Sequence, residues 1–372
     1  MKNPYAKLPT HNFWKSSVAS PRVDDIDPVV SSPFSIKKSD RVVTAGSCFA
    51  QHISRELKRS GFNFFVAEKP QANALDPASY DVFSARYGNI YTVRQLLQLF
   101  QRAYGLFRPK EPAWQRVDGA FVDPFRPQVE AAGFPTLQAL EQDRKQHLRC
   151  VRQVFERCDV FVFTLGLTEG WVSRTDGAVY PVAPGVVGSG PNPDDYQFHN
   201  FTVDSMLSDL SNFLDLLNEV NPKVQVILTV SPVPLIATYE DRHVLVSNTY
   251  SKSALRVVAE YACRDRSNVL YFPSYEIITG SYNRGAYFEP DLRSVTMEGV
   301  GHVMRVFARH LLSSDPIVDE SCSTSPVLIP KISNHDSAES SAIDPVIAAR
   351  YAAISTVVCD EEAIEKSLTE VI

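Results

Sequence analysis

Apolar residues recur along the chain in two alternating patterns. Short runs rich in β-branched residues, Val42 to Ala45, Asp159 to Leu165, Val224 to Val230 and Val269 to Phe272, read as strands; those apolar on both faces suit a sheet buried on both sides. Between them the period lengthens to three or four. Phe49, Ile53 and Leu57 form one helical stripe that ends near Ser60-Gly61, and Leu96, Leu97, Phe100 and Tyr104 form another behind the cap residue Thr92. Leu207, Leu210, Leu214 and Leu217 follow Thr202 in the same way and stop at Asn221-Pro222. Further helices are predicted over 137–157, 250–263 and 296–312, and Asn63 to Ala67 is apolar enough for another strand. Alternating strand and helix predicts a doubly wound, three-layer α/β/α domain around a central parallel sheet, with sites at the strand C-terminal ends.

The pattern also sets boundaries. Residues 1–40 are polar and carry Pro4, Pro9, Pro21, Pro28 and Pro33, which predicts an irregular arm pinned by Phe13 and Trp14. The α/β domain spans 41–312. Within it, 107–135 is rich in proline and aromatics, reading as an inserted cap that either lines a groove or merely covers the sheet, and 176–195 is a Gly/Pro-rich excursion. Ser, Asp and Pro dominate 313–344, the composition of a flexible linker. Residues 345–372 regain helical character through Ile347, Ala348, Tyr351, Ile354 and Val358. A helix that docks a protein partner and a cap over the domain both fit that tail.

Composition narrows the function classes. Among 372 residues, 44% hydrophobic and 22% charged is ordinary for a globular chain. A net charge of -6 without a basic stripe argues against a nucleic-acid partner, which needs concentrated Lys and Arg. No stretch approaches the ~18 continuous apolar residues of a membrane span and the first twenty residues lack a signal-peptide core, so the expected location is cytoplasmic. Cys48, Cys150, Cys158, Cys263, Cys322 and Cys359 show no Cys-x-x-Cys spacing, which fits reduced thiols better than disulfides or zinc. No cofactor or metal is expected, because neither a ligand cluster nor a phosphate-binding glycine loop stands out.

The candidate chemistry centres on Arg41 to Phe62. Gly46 breaks the strand and the helical period starts after Cys48, so Ser47 lies where free backbone N–H groups and the helix dipole favour developing negative charge. A nucleophile belongs there, but serine is also a favoured N-cap with no chemistry at all. Cys48 is a rival nucleophile, since a thiol at a helix N-terminus can have a lowered pKa, or simply a packed residue.

Gly46-Ser47-Cys48-Phe49-Ala50 is the signature of the GSCFA family, which resembles a branch of the SGNH (GDSL-like) hydrolases. Further stretches resemble the family in its order: Arg86-Tyr87-Gly88-Asn89-Ile90-Tyr91, Phe163-Thr164-Leu165-Gly166, Phe198-His199-Asn200-Phe201, Thr229-Val230-Ser231-Pro232-Val233, Ser251-Lys252 and Tyr271-Phe272-Pro273-Ser274-Tyr275-Glu276. The resemblance spans roughly 42–312. It implies a serine esterase or acyltransferase acting on an acylated, for instance acetylated, carbohydrate, so a small-molecule or glycan substrate. Ser47 would be the nucleophile, and the N–H groups of Ser47 and Gly88, the latter otherwise a plain turn residue, would hold the oxyanion. Asn89 lies beside Gly88. In the third conserved block, Gly166-Leu167-Thr168-Glu169 supplies the glycine but no asparagine; Thr168 is the substitute donor and Glu169 a group for a substrate hydroxyl. One such donor is worth ~3–4 kcal/mol in an acyl-transfer transition state.

The base is where the chain departs from the resemblance. SGNH enzymes take it from a C-terminal Asp-x-x-His, and here Asp291 is followed by Ser294 at the histidine position. His302 falls opposite the stripe Met297, Val300, Met304, Phe307 and Leu311, so it reads as a surface residue whose loss leaves activity intact. His199, anchored between Phe198 and Phe201, and His243, beside Glu240 and Asp241 after the Val224–Val230 strand, remain as candidate bases. The alternative is a degenerate member that kept the fold, lost the base and acts as a carbohydrate-binding or scaffold module.

Overall fold

The computed structural model describes residues 3–70, 80–190, 192–313 and 359–369. In chain order these form β1 (Val42–Gly46), α1 (Ala50–Arg59), α2 (Val93–Ala103), β2 (Trp114–Gln115), β3 (Phe121–Val122) and α3 (Leu137–Arg157). Then come β4 (Val160–Leu165), β5 (Glu169–Ser173), β6 (Val179–Tyr180), β7 (Tyr196–Asn200), α4 (Val203–Val220) and β8 (Gln225–Val230). The last are α5 (Val244–Asp265), β9 (Val269–Tyr271), α6 (Ser274–Thr279), α7 (Met297–Leu311) and α8 (Glu362–Thr369). The expected linker over 313–344 and the helical positions from Ile347 to Val358 lie outside the described residues beyond Ser313.

The four apolar runs pair as a parallel sheet in the order β1-β4-β8-β9. Side chains alternate across a strand, and the two faces fill two cores. Val43, Ala45, Phe161, Phe163 and Leu228 pack under α2, α3, α4 and α5, while Val42, Val160, Val162 and Ile227 pack under α1, α6 and α7. Each such Val, Ile, Leu or Phe side chain fully buried contributes ~1.5–3 kcal/mol. The result is the three-layer α/β/α arrangement expected, with Gly46, Leu165 and Val230 ending side by side on one rim. No helix among the described residues is long and apolar enough to cross a membrane.

Several elements differ from expectation. Asn63 to Ala67 runs beside β1 through a single Val42–Phe64 bridge and forms no strand, because after Phe65 the backbone turns to pair Ala67 with Ser84. A second sheet forms beyond β4, with β6, β5 and β7 antiparallel in that order, and the 176–195 excursion contributes β6 to it. Trp114, from the aromatic insertion, buries itself against Tyr180 and Tyr196 of this second sheet, forming a separate small core. Helix α5 begins earlier than its apolar pattern, at Val244, with His243 as its cap.

The arm is not pinned by Phe13 and Trp14; Trp14 is 68% exposed. Ile26 and Ile36 are buried instead, and Ile36 bridges Leu312. This placement overturns the surface reading of His302, which is 1% exposed. Its Nε2 pairs with the Ile26 carbonyl at 2.7 Å and its Nδ1 with the Tyr287 hydroxyl at 2.8 Å. Met297, placed on the buried stripe, is exposed. The stripe described only the sheet-facing side of α7, whereas the arm covers another side. Because His302→Ala leaves the Ile26 carbonyl and the Tyr287 hydroxyl without this partner, it should cost about 2–3 kcal/mol of stability. Thermal denaturation reads this, and a change under ~0.5 kcal/mol, the usual range for surface substitutions, would contradict it.

Candidate active site

The site begins with the turn out of β1. Gly46 has φ +131°, and a Cβ on it would stand 2.3 Å from the Thr164 carbonyl oxygen of the neighbouring strand. Only glycine lets the backbone reverse while lying that close to β4. Ser47 follows at 3% exposure, its N–H donating to the Thr164 carbonyl at 3.1 Å. Helix α1 then starts at Ala50 with no side-chain cap. The Ser47 Oγ makes no hydrogen bond to any described residue, so the N-cap explanation of this serine does not hold. A buried unpaired hydroxyl costs ~1–3 kcal/mol, and two more, Thr164 Oγ1 and Thr168 Oγ1, are buried and unpaired at the same end of β4.

The second loop docks on this turn. The Ile90 N–H donates to the Gly46 carbonyl at 2.8 Å, and the hydroxyl of Tyr87 bonds the Thr44 carbonyl. Gly88 has φ +69° and Asn89 beside it is buried. The third loop closes the arrangement: Gly166 N–H and Leu167 N–H both donate to the Tyr91 carbonyl, at 3.0 and 3.2 Å. A Cβ on Gly166 would come within 3.1 Å of the Ser47 Cβ, so this glycine allows the third loop to lie against the serine.

These bonds revise the expected donor set. The Ser47 and Gly166 N–H groups are spent on holding loops together, so neither is free for an oxyanion. Gly166 acts by its size. The donors of Asn89 meet a carboxylate: its Nδ2 gives a hydrogen bond to Asp360 Oδ2 at 3.0 Å and its backbone N–H bonds the same side chain. Thr168 keeps its hydroxyl unpaired while its N–H goes to Ser251 Oγ at 3.0 Å.

Other expected residues lie elsewhere. Glu169 gives both carboxylate oxygens to the loop after β8, accepting from the Thr238 hydroxyl at 2.7 Å and the Tyr239 N–H at 3.3 Å. Asp291 is exposed and accepts from the N–H and hydroxyl of Ser294, at 2.9 and 2.6 Å, which holds its carboxyl below the usual range. It closes a turn. His199 is exposed on β7 opposite Gly170, with its ring against Phe201. His243 is exposed, and its Nδ1 accepts from the Leu245 N–H at 3.1 Å as the cap of α5. Glu240 accepts from Asn200 Nδ2 at 2.8 Å. Neither histidine hydrogen-bonds Ser47, whose Oγ has no partner among the described residues.

Lys252, from the Ser251-Lys252 stretch, lies on the inner face of α5. Its ammonium is fully buried and donates to the Gly166 carbonyl at 2.7 Å, and burial draws its pKa down to about 8. Cys359, Asp360 and Glu361, just before α8, are buried against the site, a placement no local pattern announces. The Cys48 thiol hydrogen-bonds Cys359; that bond and burial push it well above the ordinary thiol range, which opposes Cys48 as a nucleophile. Among the described residues no group of three or more His, Cys, Asp or Glu side chains could hold a metal.

Residues 41–307 match the GSCFA family. No curated protein matches the chain. Among solved structures, a carbohydrate esterase family 3 protein from Talaromyces cellulolyticus is 12% identical over 74% of this chain and 95% of that one, with a TM-score of 0.31. An acetyl-xylooligosaccharide esterase from Geobacillus Stearmophilus is 12% identical over 76% and 100%, with a TM-score of 0.30. Likeness at this level bears on neither substrate nor reaction.

Proposed function

We propose that this chain, which belongs to the GSCFA family, is a serine ester hydrolase of the SGNH type that attacks an acyl carbonyl through Ser47. The observation that carries the reading is the Ser47 hydroxyl: buried, spent neither on a cap nor on a bond, and set where three loops meet at the sheet rim. Evolution tolerates the cost of such a group where the group has work to do. In the proposed step the serine oxygen bonds the acyl carbon while its proton passes to the neutral amine form of Lys252, whose Nζ is held at the Gly166 carbonyl against Ser47 and whose pKa burial draws down to about 8. Asn89 and the Thr168 hydroxyl receive the oxyanion. The alcohol departs with the proton from Lys252, and water, or an acceptor alcohol in a transferase, then releases the acyl group.

A cavity of about 90 Å³ lined by Phe83, Tyr87 and Phe125 together with Arg86, Arg126 and Asp360 adjoins Gly88, but Ser47 does not line it, so it does not set the size of the acyl group. That the alcohol is a carbohydrate rests on the family resemblance alone. The second reading, a degenerate binding module, is favoured by the Asp291–Ser294 pair, which closes an exposed turn where a base dyad is expected.

Hydrolysis of p-nitrophenyl acetate tests the reading. Ser47→Ala should lower kcat by at least about a thousand-fold without loss of fold, since it removes an unpaired buried hydroxyl. Turnover that survives in Ser47→Ala would exclude the serine mechanism.

A further inference from the structure

Asp360 is a carboxyl with no evident reason to be inside the protein. It is 3% exposed, and its partners are those assigned above to an oxyanion: the Asn89 side-chain and backbone N–H groups. A Cβ on Gly88 would stand 4.0 Å from its Oδ2, so the carboxylate lies against the glycine turn and borders the small apolar cavity. Burial raises its pKa to about 6, and the Asn89 hydrogen bonds oppose that rise.

The neighbouring residues hold the same tip down. The Asp360 N–H donates to the Tyr91 hydroxyl at 3.0 Å, and that hydroxyl lies 3.8 Å from the Cys359 sulfur. Glu361 forms a buried ion pair with Arg293 at 3.1 Å, and the same guanidinium lies 3.9 Å from Cys359 Sγ. Arg293 Nε donates to the Pro234 carbonyl, fixing it to the loop after β8. Cys359 itself pairs with Cys48, the residue after Ser47. The turn after β1, the Gly88–Tyr91 loop and Arg293 therefore converge on residues 359–361.

We propose that the Gly88–Asn89 cradle beside Ser47 is a carboxylate-binding site whose resident ligand is the chain's own Asp360, so that the tip Cys359–Glu361 competes with acyl ligands and carboxylic acid products. A carboxylate and a tetrahedral oxyanion present the same acceptor to these donors. The binding claim stands on the contacts themselves; only its consequence for turnover rests on the esterase reading.

The test uses the full chain and a readout that does not depend on turnover. Cys359 is buried only while the tip is seated, so its alkylation by N-ethylmaleimide, mapped by peptide mass, reports release. Sodium acetate should raise the Cys359 alkylation rate saturably over matched sodium chloride, because a ligand that binds only the open form populates it by mass action. Asp360→Ala should raise the rate about tenfold without acetate and abolish the acetate dependence. Asp360→Asn, which keeps the shape and one acceptor, should fall between. An alkylation rate indifferent to acetate in the wild type, or unchanged by both substitutions, would overturn the proposal. A saturable acetate effect in a protein that hydrolyses no ester would leave the carboxylate site standing and remove the esterase reading.

Discussion

Gly46→Ala should destabilise the protein by about 4 kcal/mol or more, among the largest effects a single methyl can have. Two costs combine. A non-glycine residue at φ +131° is strained by ~1–3 kcal/mol. The new methyl also meets the Thr164 carbonyl oxygen at 2.3 Å and its nitrogen at 2.7 Å. Both obstacles are backbone atoms of β4, held between β1 and β8, so neither can rotate away as a side chain would. Relief requires β1 to part from β4 at the register pair Gly46–Thr164, which breaks the Ser47 N–H bond to Thr164 and displaces the serine. Urea denaturation should show a lower midpoint, and any esterase turnover should fall with it. A loss under ~1 kcal/mol would mean the turn is not held as described.

The second large effect concerns Asp123, a fully buried carboxylate within the 107–135 insertion. Arg126 Nε donates to it at 3.0 Å, Arg144 lies 3.0 Å from its Oδ1, and Arg102 faces it across the same interior. Burial by itself would raise the carboxyl, but the three guanidiniums pull harder and hold it well below the usual carboxylate range. Asp123→Asn keeps the shape and leaves those cations facing a neutral amide. The expected cost is about 3–5 kcal/mol, that of breaking a buried ion pair on one side. Arg126 also binds Asp143 at 2.7 Å, Arg86 reaches Asp143 at 3.6 Å, and the Arg86 N–H donates to Glu68 at 2.8 Å, so the network supports the loop that carries Gly88 and Asn89.

The same network sets a pH dependence. Glu68 is buried, yet His147 and Arg126 bring its pKa to about 2. For carboxyls depressed on folding, the stabilisation is fully present above the unfolded value of ~4 and is lost as pH falls through the folded one. Wild-type stability should therefore decline steeply from about pH 4 towards 2, and Asp123→Asn should show a shallower decline across that window. Parallel curves for the two proteins would contradict the charge assignment.

The central sheet was legible because its four strands are apolar on both faces, a pattern few other elements share. Helices α2, α3 and α4 were equally plain, each having a threonine cap and one apolar stripe. The antiparallel sheet was not, since its strands are short and two of them, β6 and β7, bracket a Gly/Pro-rich stretch that reads as loop. Within the site, Ser47, Gly88 and Asn89 could be placed by motif, while their contacts are set by the fold around them. His302 was misplaced because a helical stripe reports one burying partner at a time. Glu169, His199 and His243 carried residue types suited to catalysis, and only tertiary contacts reveal that their groups are used elsewhere. Lys252 was marked only by the Ser251-Lys252 stretch, without a role, and Asp360 had no local signal, because its contacts arise from segments distant in sequence meeting at one rim.

The central claim is that Ser47 is an activated nucleophile. The most direct measurement is intact-mass analysis after treatment with a fluorophosphonate, on the wild type, Ser47→Ala and Asp360→Ala. The account predicts one adduct mapping to Ser47, faster in Asp360→Ala and absent from Ser47→Ala. No adduct in folded wild type and Asp360→Ala alike, or an adduct that persists in Ser47→Ala, would contradict it.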